Sequence, residues 1–361
     1  MSGHATQRGE LAIADKFTRA EMALRSGADL VLELPYPYCA ASASYFAGAG
    51  VAILDALGID ELSFGSECAD LPLLERTAAV TESPAFHDRV AARQRNGEGS
   101  AQAYFHTLAE MTDTADTRFL ANDILALEYV RAIRRLESSV RPVPILREGS
   151  AYRDPQIQAD QHPSATALRL NLLQNDINEA LRCIPEPSRK PLENAITASH
   201  APTRMSRLDA AILAYLRTCS PEVLALAAEM QGGLANRLCA AARTAVTFDD
   251  LLAAASSKSY PTARLRRAVL FAMTDVTPQD LQTPPAYLSL LGANAAGRVW
   301  LRDRRADTPI PVIAKFADAA PVFPHAPRQS ALTQALDALF TLTLPTPCAA
   351  DVFLKVPPRM L

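Results

Sequence analysis

The chain has 361 residues, of which 49% are hydrophobic and 21% are charged, and its formal net charge at pH 7 is −3. This length predicts two or three domains, and the composition is that of a soluble protein with a sizeable core. The near-neutral charge excludes a global basic field, so a polyanion can be bound only at a local patch.

Metal sites and membrane spans are not predicted. The six cysteines and six histidines are scattered, without CxxC, HxH or HxxxH spacing. Charged residues at positions 8, 10, 15 and 16 interrupt any signal-peptide core, and no apolar run reaches about 18 residues. A cytoplasmic enzyme or binding protein is expected.

The first part of the chain alternates between helical and strand patterns, which predicts α/β structure with a parallel sheet. Its opening helix and strand have the order of the second half of a βαβ unit. The strand that would feed this helix is absent from the printed sequence, and such a strand and its loop usually carry phosphate-binding chemistry. The predicted helices are 11–27, 42–57 and 119–135, and the predicted strands are 29–34, 61–64 and 142–146.

The sequence pattern changes at Pro185-Glu186-Pro187, where two prolines in three residues predict a linker. We therefore expect a nucleotide-binding α/β domain over residues 1–184 and a mainly α-helical region over residues 185–361. Helices are predicted at 205–217, 233–243, 248–255, 263–273 and 329–342, with short strand-like pieces after residue 284.

Three residues are candidates for nucleotide contacts. Gly65 follows a predicted strand, where a small residue exposes backbone N–H groups; the alternative is a plain βα turn. Asn122 can contact a base or ribose, or cap the helix that follows. Arg147 ends a predicted strand and can hold a phosphate bidentately, or pair with Glu148 or Asp154 at the surface.

The densest basic cluster is KSYPTARLRR, residues 258–267. Its cations lie at a helix start, where they oppose the helix dipole, so helix stability does not explain them. Lys258, Tyr260, Arg264, Arg266 and Arg267 are candidates for RNA-backbone contacts and base stacking. A solvated helical face is the alternative.

Residues 7–10, Gln-Arg-Gly-Glu, combine donors and a glycine just before the first predicted helix. This pattern suits contacts to phosphates at a helix N-terminus, and the alternative is a frayed polar end. Arg153 and Arg169 add positive charge to the region around Arg147.

Taken together, these segments resemble one family, the bacterial tRNA(Met) cytidine acetate ligases of the HIGH-type nucleotidyltransferase superfamily. The resemblance covers almost the whole chain in order, and the ordered set is more specific than any single motif. It rests on MSGHATQRGELAIADKFTRAEMALRSGADLVLELP (1–35), SASYFAGAGVAILDALG (42–58), LSFGSE (62–67), LANDILALEYVRAI (120–133), PILREGSAYRD (145–154), SATALR (164–169), GLANRL (233–238), TFDDLL and KSYPTARLRR (247–267) and YLSLLGANAAGR (287–298).

The resemblance implies a Rossmann-like domain that binds ATP and acetate, with Mg²⁺ on the phosphates. Acetate attacks the α-phosphorus, pyrophosphate leaves, and the N4 amine of the wobble cytidine of elongator tRNA(Met) then attacks the acetyl-adenylate. The family's ATP contacts fall on Gly65, Asn122 and Arg147 by motif match. The region with Arg264, Arg266 and Arg267 corresponds to the part expected to hold the anticodon region of the tRNA.

One family feature is absent from the printed sequence. Members begin with a strand, a GxxxEYNPFHxGH loop and a helix, and the paired histidines of that loop stabilise charge at the α-phosphate. His4 is not a substitute, because it lies within the MSG segment. No catalytic residue is therefore assigned, and the 361 residues alone are expected to bind ATP weakly, form no acetyl-adenylate and aggregate.

Three hypotheses follow from this comparison. The first is the ligase, with a true start upstream of Met1. The second is a catalytically impaired, N-terminally truncated remnant that binds tRNA or nucleotide. The third is another adenylyl- or cytidylyltransferase of the superfamily, which the helical half and the 258–267 cluster disfavour.

Overall fold

A computed structural model of the chain describes residues 1–98, 100–112, 119–147, 157, 163–174, 177–304, 308–319 and 325–361. Its helices are Lys16–Arg25 (α1), Ala43–Ala56 (α2), Leu71–Thr81 (α3), Pro84–Arg95 (α4), Ser100–Thr112 (α5), Ala121–Arg135 (α6), Ala165–Leu173 (α7), Ile177–Arg182 (α8), Glu186–Thr197 (α9), Asp209–Thr218 (α10), Pro221–Leu224 (α11), Leu234–Ala242 (α12), Phe248–Ala255 (α13), Thr262–Met273 (α14), Pro278–Gln282 (α15), Ala295–Arg304 (α16) and Ala326–Leu342 (α17). Its strands are Leu30–Leu32 (β1), Glu61–Ser66 (β2), Arg141–Leu146 (β3), Leu288–Ala293 (β4), Val312–Ile313 (β5) and Arg359–Met360 (β6).

The strands form two sheets. In one sheet β2 and β3 are parallel, in register from Glu61 opposite Arg141 to Ser66 opposite Leu146, as the alternating pattern predicts. In the other, β1 pairs antiparallel with β4, and β4 pairs parallel with β5 and β6. The expectation of a wholly parallel sheet is therefore wrong for β1, whose partner lies far away in the sequence.

An apolar cavity of about 810 Å³ lies between the two sheets. Met1 and Ser2 line it beside β1: the Met1 amino group donates to the Leu32 carbonyl at 2.7 Å, and Leu34 N–H donates to the Met1 carbonyl at 2.8 Å. Within the described residues β2 pairs only with β3, so its other edge carries no strand. The cavity is lined by residues of both β1 and β2, including Leu32 and Leu62.

Helix α1 begins five residues later than its apolar pattern predicts. The Asp15 carboxylate accepts the Phe17 and Thr18 N–H groups, both at 2.9 Å, and so caps the helix at this point. Leu11 and Ala12, which precede the cap, are buried in non-helical backbone. Tertiary burial therefore overrides the helical periodicity of this segment.

The two prolines at 185 and 187 open helix α9 and do not form a linker. Proline is well placed in a first helical turn, because the N–H group that it lacks would have no partner within the helix there. The Ser188 hydroxyl donates to the Met22 carbonyl at 3.1 Å, and this contact joins α9 to α1. The boundary at residue 184 stays a prediction, but the largest core cluster takes residues from both sides of it.

A buried cluster of charges joins the first residues of the chain to helix α17. Lys16 Nζ lies 3.1 Å from both carboxylate oxygens of Glu33 and 3.6 Å from Asp337 Oδ2. His4 Nδ1 lies 2.6 Å from Asp337 Oδ1, and its ring stacks on Phe340 at 4.0 Å between centroids. All four polar side chains are at least 95% buried, so each charge relies on the others for compensation.

This buried charge cluster predicts that the free energy of unfolding falls at acid pH. Burial alone would raise the pKa of Asp337, but the Lys16 ammonium and the His4 ring outweigh burial and hold the pKa below its ordinary value. A carboxyl group whose pKa is lower in the folded state than in the unfolded state stabilises the fold at pH values above its unfolded pKa of about 3.9. That stabilisation is lost as the pH falls.

We therefore expect the free energy of unfolding, measured by urea denaturation, to fall between about pH 5 and pH 3. Asp337→Asn is expected to flatten this dependence. The matched control is Asp351→Asn, which changes an exposed carboxylate that pairs with Lys355. An unchanged slope in Asp337→Asn would contradict the assignment.

Among the described residues, no helix combines the length and the apolar character that crossing a membrane requires.

Candidate functional site

The parallel strands β2 and β3 end side by side, and the predicted residues Gly65 and Arg147 meet there. Arg147 N–H donates to the Ser66 carbonyl at 3.0 Å. The Arg147 side chain runs across Gly65: a Cβ built on Gly65 would lie 3.3 Å from Arg147 Cγ and 3.5 Å from its Cδ. A side chain at position 65 would crowd the Arg147 stem, which would have to shift by a few tenths of an ångström. Both residues are exposed to solvent.

Asn122 joins the same site through Glu67. The Glu67 carboxylate accepts the backbone N–H groups of Asn122 and Asp123 at 3.1 and 3.0 Å, and it also accepts the Asn122 side-chain amide. These bonds satisfy donors at the N-terminus of α6, which otherwise have no intrahelical partner. The end of β2 and the start of α6 are thereby fixed to each other.

Asp123 completes this connection from the opposite direction. Its carboxylate accepts the Ser66 hydroxyl at 2.6 Å and the N–H groups of Glu67, Cys68 and Leu120 at 2.8, 3.0 and 3.1 Å. Burial would raise the pKa of Asp123, but the bonds from Ser66, Cys68 and Leu120 outweigh it and lower the pKa. Asp123 is therefore ionised at neutral pH and rigidly held.

The structure distinguishes between the two roles expected for Asn122. Asn122 is not a helix cap, because α6 begins at Ala121 and the carboxylate of Asp123 bonds back to Leu120 N–H. Glu148, Arg153 and Asp154 lie outside the described residues. Sequence reasoning placed no role on Glu67 or Asp123; the only local signal was an acidic residue in the first turn of a helix.

The surroundings of Asn122 and Arg147 are apolar. Four large apolar side chains near the ends of β3 and the start of α6 are between 42% and 56% exposed: Leu120, Ile124, Ile145 and Leu146. Exposed apolar side chains beside a few polar groups are typical of sites that bind a planar, partly apolar ligand.

The basic cluster surrounds Tyr260. The guanidinium carbons of Arg237 and Arg264 lie 5.7 and 5.3 Å from the centre of the Tyr260 ring, and the Tyr260 hydroxyl donates to the Gly232 carbonyl. Arg264 also donates to the Gln231 carbonyl at 3.0 Å. Lys258 is exposed in the loop before α14.

Arg266 and Arg267 have carboxylate partners. Arg267 Nε and Nη2 donate to Glu229 at 2.8 to 3.0 Å, with both side chains mostly buried, and Arg266 Nη1 donates to Glu10 at 2.6 Å. These pairs explain why cations occupy a helix start that repels them. A role of these two arginines in RNA contact stays a prediction, and it would require breaking these pairs.

Residues 7–10 pack on α14 and do not precede a helix directly. Gly9 has a φ of +72°, and a Cβ there would lie 2.5 Å from the backbone nitrogen of Arg267. Glu10 pairs with Arg266 at 2.6 Å and with Arg169 at 3.6 Å. His4 is fully buried against Asp337, consistent with the expectation that it does not replace the family's histidine loop.

The described residues hold no group of three or more His, Cys, Asp or Glu side chains placed to bind a metal ion. The two carboxylates at the site, Glu67 and Asp123, are already used as hydrogen-bond acceptors.

A parallel strand pair with a glycine, an arginine and a helix N-terminus at its carboxyl edge is an arrangement typical of nucleotide-binding α/β proteins. The family model of the HIGH Nucleotidyl Transferase matches residues 1–349.

Comparison with known proteins narrows this class. The tRNA(Met) cytidine acetate ligase of Syntrophotalea carbinolica is 34% identical over 327 residues, covering 88% of this chain and 77% of that protein. The one from Caldanaerobacter subterraneus is 33% identical over 326 residues, covering 88% and 80%. The chain belongs to the tRNA(Met) cytidine acetate ligases of the HIGH nucleotidyl transferase family, which confirms the resemblance.

Two solved structures agree with this assignment. The crystal structure of apo Thermotoga maritima TmcAL matches with a TM-score of 0.92 at 26% identity, covering 100% of this chain and 91% of that one. A second form, bound with alpha-thio ATP, matches with a TM-score of 0.88 over the same coverage. The expected nucleotidyltransferase fold is thereby confirmed.

Proposed function

We propose that this protein is an ATP-dependent ligase that acetylates N4 of the wobble cytidine in elongator tRNA(Met). In the first step an acetate oxygen attacks the α-phosphorus of ATP and pyrophosphate leaves. In the second step the cytidine N4 amine attacks the acetyl carbonyl, AMP leaves, and N4 gives up one proton. The observation that carries this proposal is the contact of Arg147 with Gly65 at the carboxyl edge of β2 and β3, to which Glu67 ties Asn122.

Each of the three residues has a role that its environment supports. The Arg147 guanidinium supplies positive charge and directed N–H donors for phosphate or ribose oxygens. Gly65 lets the nucleotide approach the end of β2, where a side chain would meet Arg147. Asn122 offers an amide to the adenosine, and the exposed apolar residues beside it suit the faces of a purine ring.

Mg²⁺ is proposed only as a companion of the phosphates. The described residues hold no group of three or more side chains placed to bind a metal ion, and we assign phosphate oxygens and water as its main ligands. No step of the reaction is assigned to a protein-bound metal.

The proposed tRNA surface is the region around Lys258, Tyr260 and Arg264. Lys258 is an exposed cation two residues before Tyr260, whose ring is flanked by two arginines. Cations bind the RNA backbone, and a splayed anticodon base can stack on an aromatic ring or a guanidinium plane.

Lys258→Ala is expected to weaken tRNA binding several-fold and to reduce the salt slope of log K by roughly one, as for the loss of one phosphate contact. The control is Lys190→Ala, which removes an exposed lysine of α9. Filter binding of tRNA(Met) at several salt concentrations measures both effects. Equal affinity and salt slope in the two variants would remove Lys258 from the RNA surface.

The reaction itself is tested with protein purified through a C-terminal tag that is added to the gene at its own chromosomal locus. With ATP and labelled acetate, we expect label to enter elongator tRNA(Met). A transcript with uridine in place of the wobble cytidine is the control and should remain unlabelled. Absence of label in both RNAs would overturn the proposed function.

A further inference from the structure

The orientation of the Asn122 amide is fixed by a neighbour that can only accept hydrogen bonds. Glu67 Oε1 contacts the Asn122 side-chain nitrogen, and Glu67 Oε2 accepts the N–H groups of Asn122 and Asp123. An ionised carboxylate has no proton to donate, so the amide must face it with its NH₂ group. The opposite orientation would place two oxygens against each other.

The amide oxygen of Asn122 is consequently turned away from Glu67. Among the described residues it accepts no hydrogen bond, and the side chain is half-buried at the edge of the site. Asn122 therefore presents an acceptor on the side of its amide oxygen, while its NH₂ group donates one N–H to Glu67 and keeps the other.

From this geometry we propose that the Glu67–Asn122 pair selects the purine base of the nucleotide by its substituent at position 6. This inference rests on the proposed function, which places ATP against Asn122. Adenine carries an amino group at position 6, which donates to the Asn122 oxygen. Guanine carries an oxygen there, which meets the same acceptor unfavourably. Glu67 is a positioning residue in this scheme, because it acts through Asn122.

The pair discriminates because neither partner can adapt. An asparagine alone can rotate its amide and donate to guanine instead, so its choice of base is weak. Glu67 makes that rotation costly, because it would leave the carboxylate facing an oxygen at a partly buried position. A site whose polar groups are fixed in this way discriminates strongly against a ligand that leaves those groups without a hydrogen-bond partner.

The test is Glu67→Gln, which keeps the size and the acceptor oxygen for the N–H groups of α6. A glutamine can also donate, so the Asn122 amide is free to turn its NH₂ group towards the base. We expect the ratio of the dissociation constants for GTP and ATP to fall at least tenfold, with ATP weakened and GTP strengthened. The matched control is Glu61→Gln at the opposite end of β2, where Glu61 pairs with Arg141 at the surface.

Asn122→Ala provides a second variant, which leaves the backbone bonds to Glu67 in place. It should also lose the preference for ATP over GTP. If wild type prefers ATP and both variants keep that preference unchanged, or weaken both nucleotides equally, the inference is wrong while the proposed function stands. If wild type binds neither nucleotide, the proposed function and the inference both fail.

Discussion

Replacing Lys16 with methionine is expected to lower the free energy of unfolding by about 3–5 kcal/mol, the range for breaking a buried ion pair. Methionine has a similar length and no charge, so the change isolates the loss of the ammonium group. It leaves the carboxylates of Glu33 and Asp337 close together, both almost fully buried. Urea denaturation at neutral pH measures the effect.

Two further variants separate the charge from the loss of packing. Lys190→Met makes the same replacement at an exposed site and should change stability by less than about 0.5 kcal/mol. Adding Glu33→Gln to Lys16→Met should recover part of the loss, because one of the two buried carboxylates is then neutral. If Lys16→Met lowers the free energy of unfolding by less than about 1 kcal/mol, the buried cluster does not rely on this ammonium group.

Arg147→Ala is expected to raise the dissociation constant for ATP by roughly 10- to 100-fold. A hydrogen bond to a charged group contributes about 1.5–3 kcal/mol, and each 1.4 kcal/mol corresponds to a factor of ten. Stability should change little, since Arg147 is exposed at the end of β3. Calorimetric titration with ATP measures the affinity.

The control for Arg147 lies on the same strand. Arg141 begins β3 and pairs with Glu61 at the surface, with 73% of its side chain exposed. Arg141→Ala should leave ATP affinity within about twofold, because Arg141 lies at the opposite end of β3 from Arg147. Stability should also change little, because a surface ion pair contributes little free energy. Arg147→Lys should be intermediate, because it keeps the charge and loses the planar fork of donors. Equal affinities for Arg147→Ala and Arg141→Ala would exclude Arg147 from the nucleotide site.

The placement of the three residues proposed to bind the nucleotide could largely be predicted, because the patterns that indicate it are local. Gly65 and Arg147 each follow an apolar strand pattern, and parallel strands bring their carboxyl ends to one edge. Asn122 sits at the start of a strongly periodic helix. Each of these signals lies within about ten residues of sequence. The structure places Arg147 against Gly65 and ties Asn122 to the end of the same strand through Glu67.

The contacts that organise the site could not be predicted from local patterns. Glu67 and Asp123 exchange hydrogen bonds across more than fifty residues of sequence, and a single acidic residue carries no sign of such a partner. The pairing of β1 with β4 and the contact between Lys16 and Asp337 span still longer separations. Burial and complementary charge decide these contacts, and both exist only once the chain has folded.

The basic cluster shows how the same residues can support two interpretations. Its position at a helix start predicted an RNA surface, because cations there oppose the helix dipole. The structure gives Arg266 and Arg267 the carboxylates of Glu10 and Glu229 as partners, which explains their position by folding. Lys258 is exposed, and Arg264 donates to backbone carbonyls and, among the described residues, not to a carboxylate. The proposed RNA surface is therefore centred on Lys258, Tyr260 and Arg264, while RNA contacts of Arg266 and Arg267 stay a prediction.

Acetylation of tRNA(Met) by this protein is measured most directly in the organism that encodes this chain. Elongator tRNA(Met) is isolated from wild-type cells and from cells without the gene, digested to nucleosides and examined by mass spectrometry. The proposed function predicts that N4-acetylcytidine disappears with the gene and returns with a wild-type copy, but is reduced with the Arg147→Ala copy. Undiminished N4-acetylcytidine at the wobble position after deletion would contradict it.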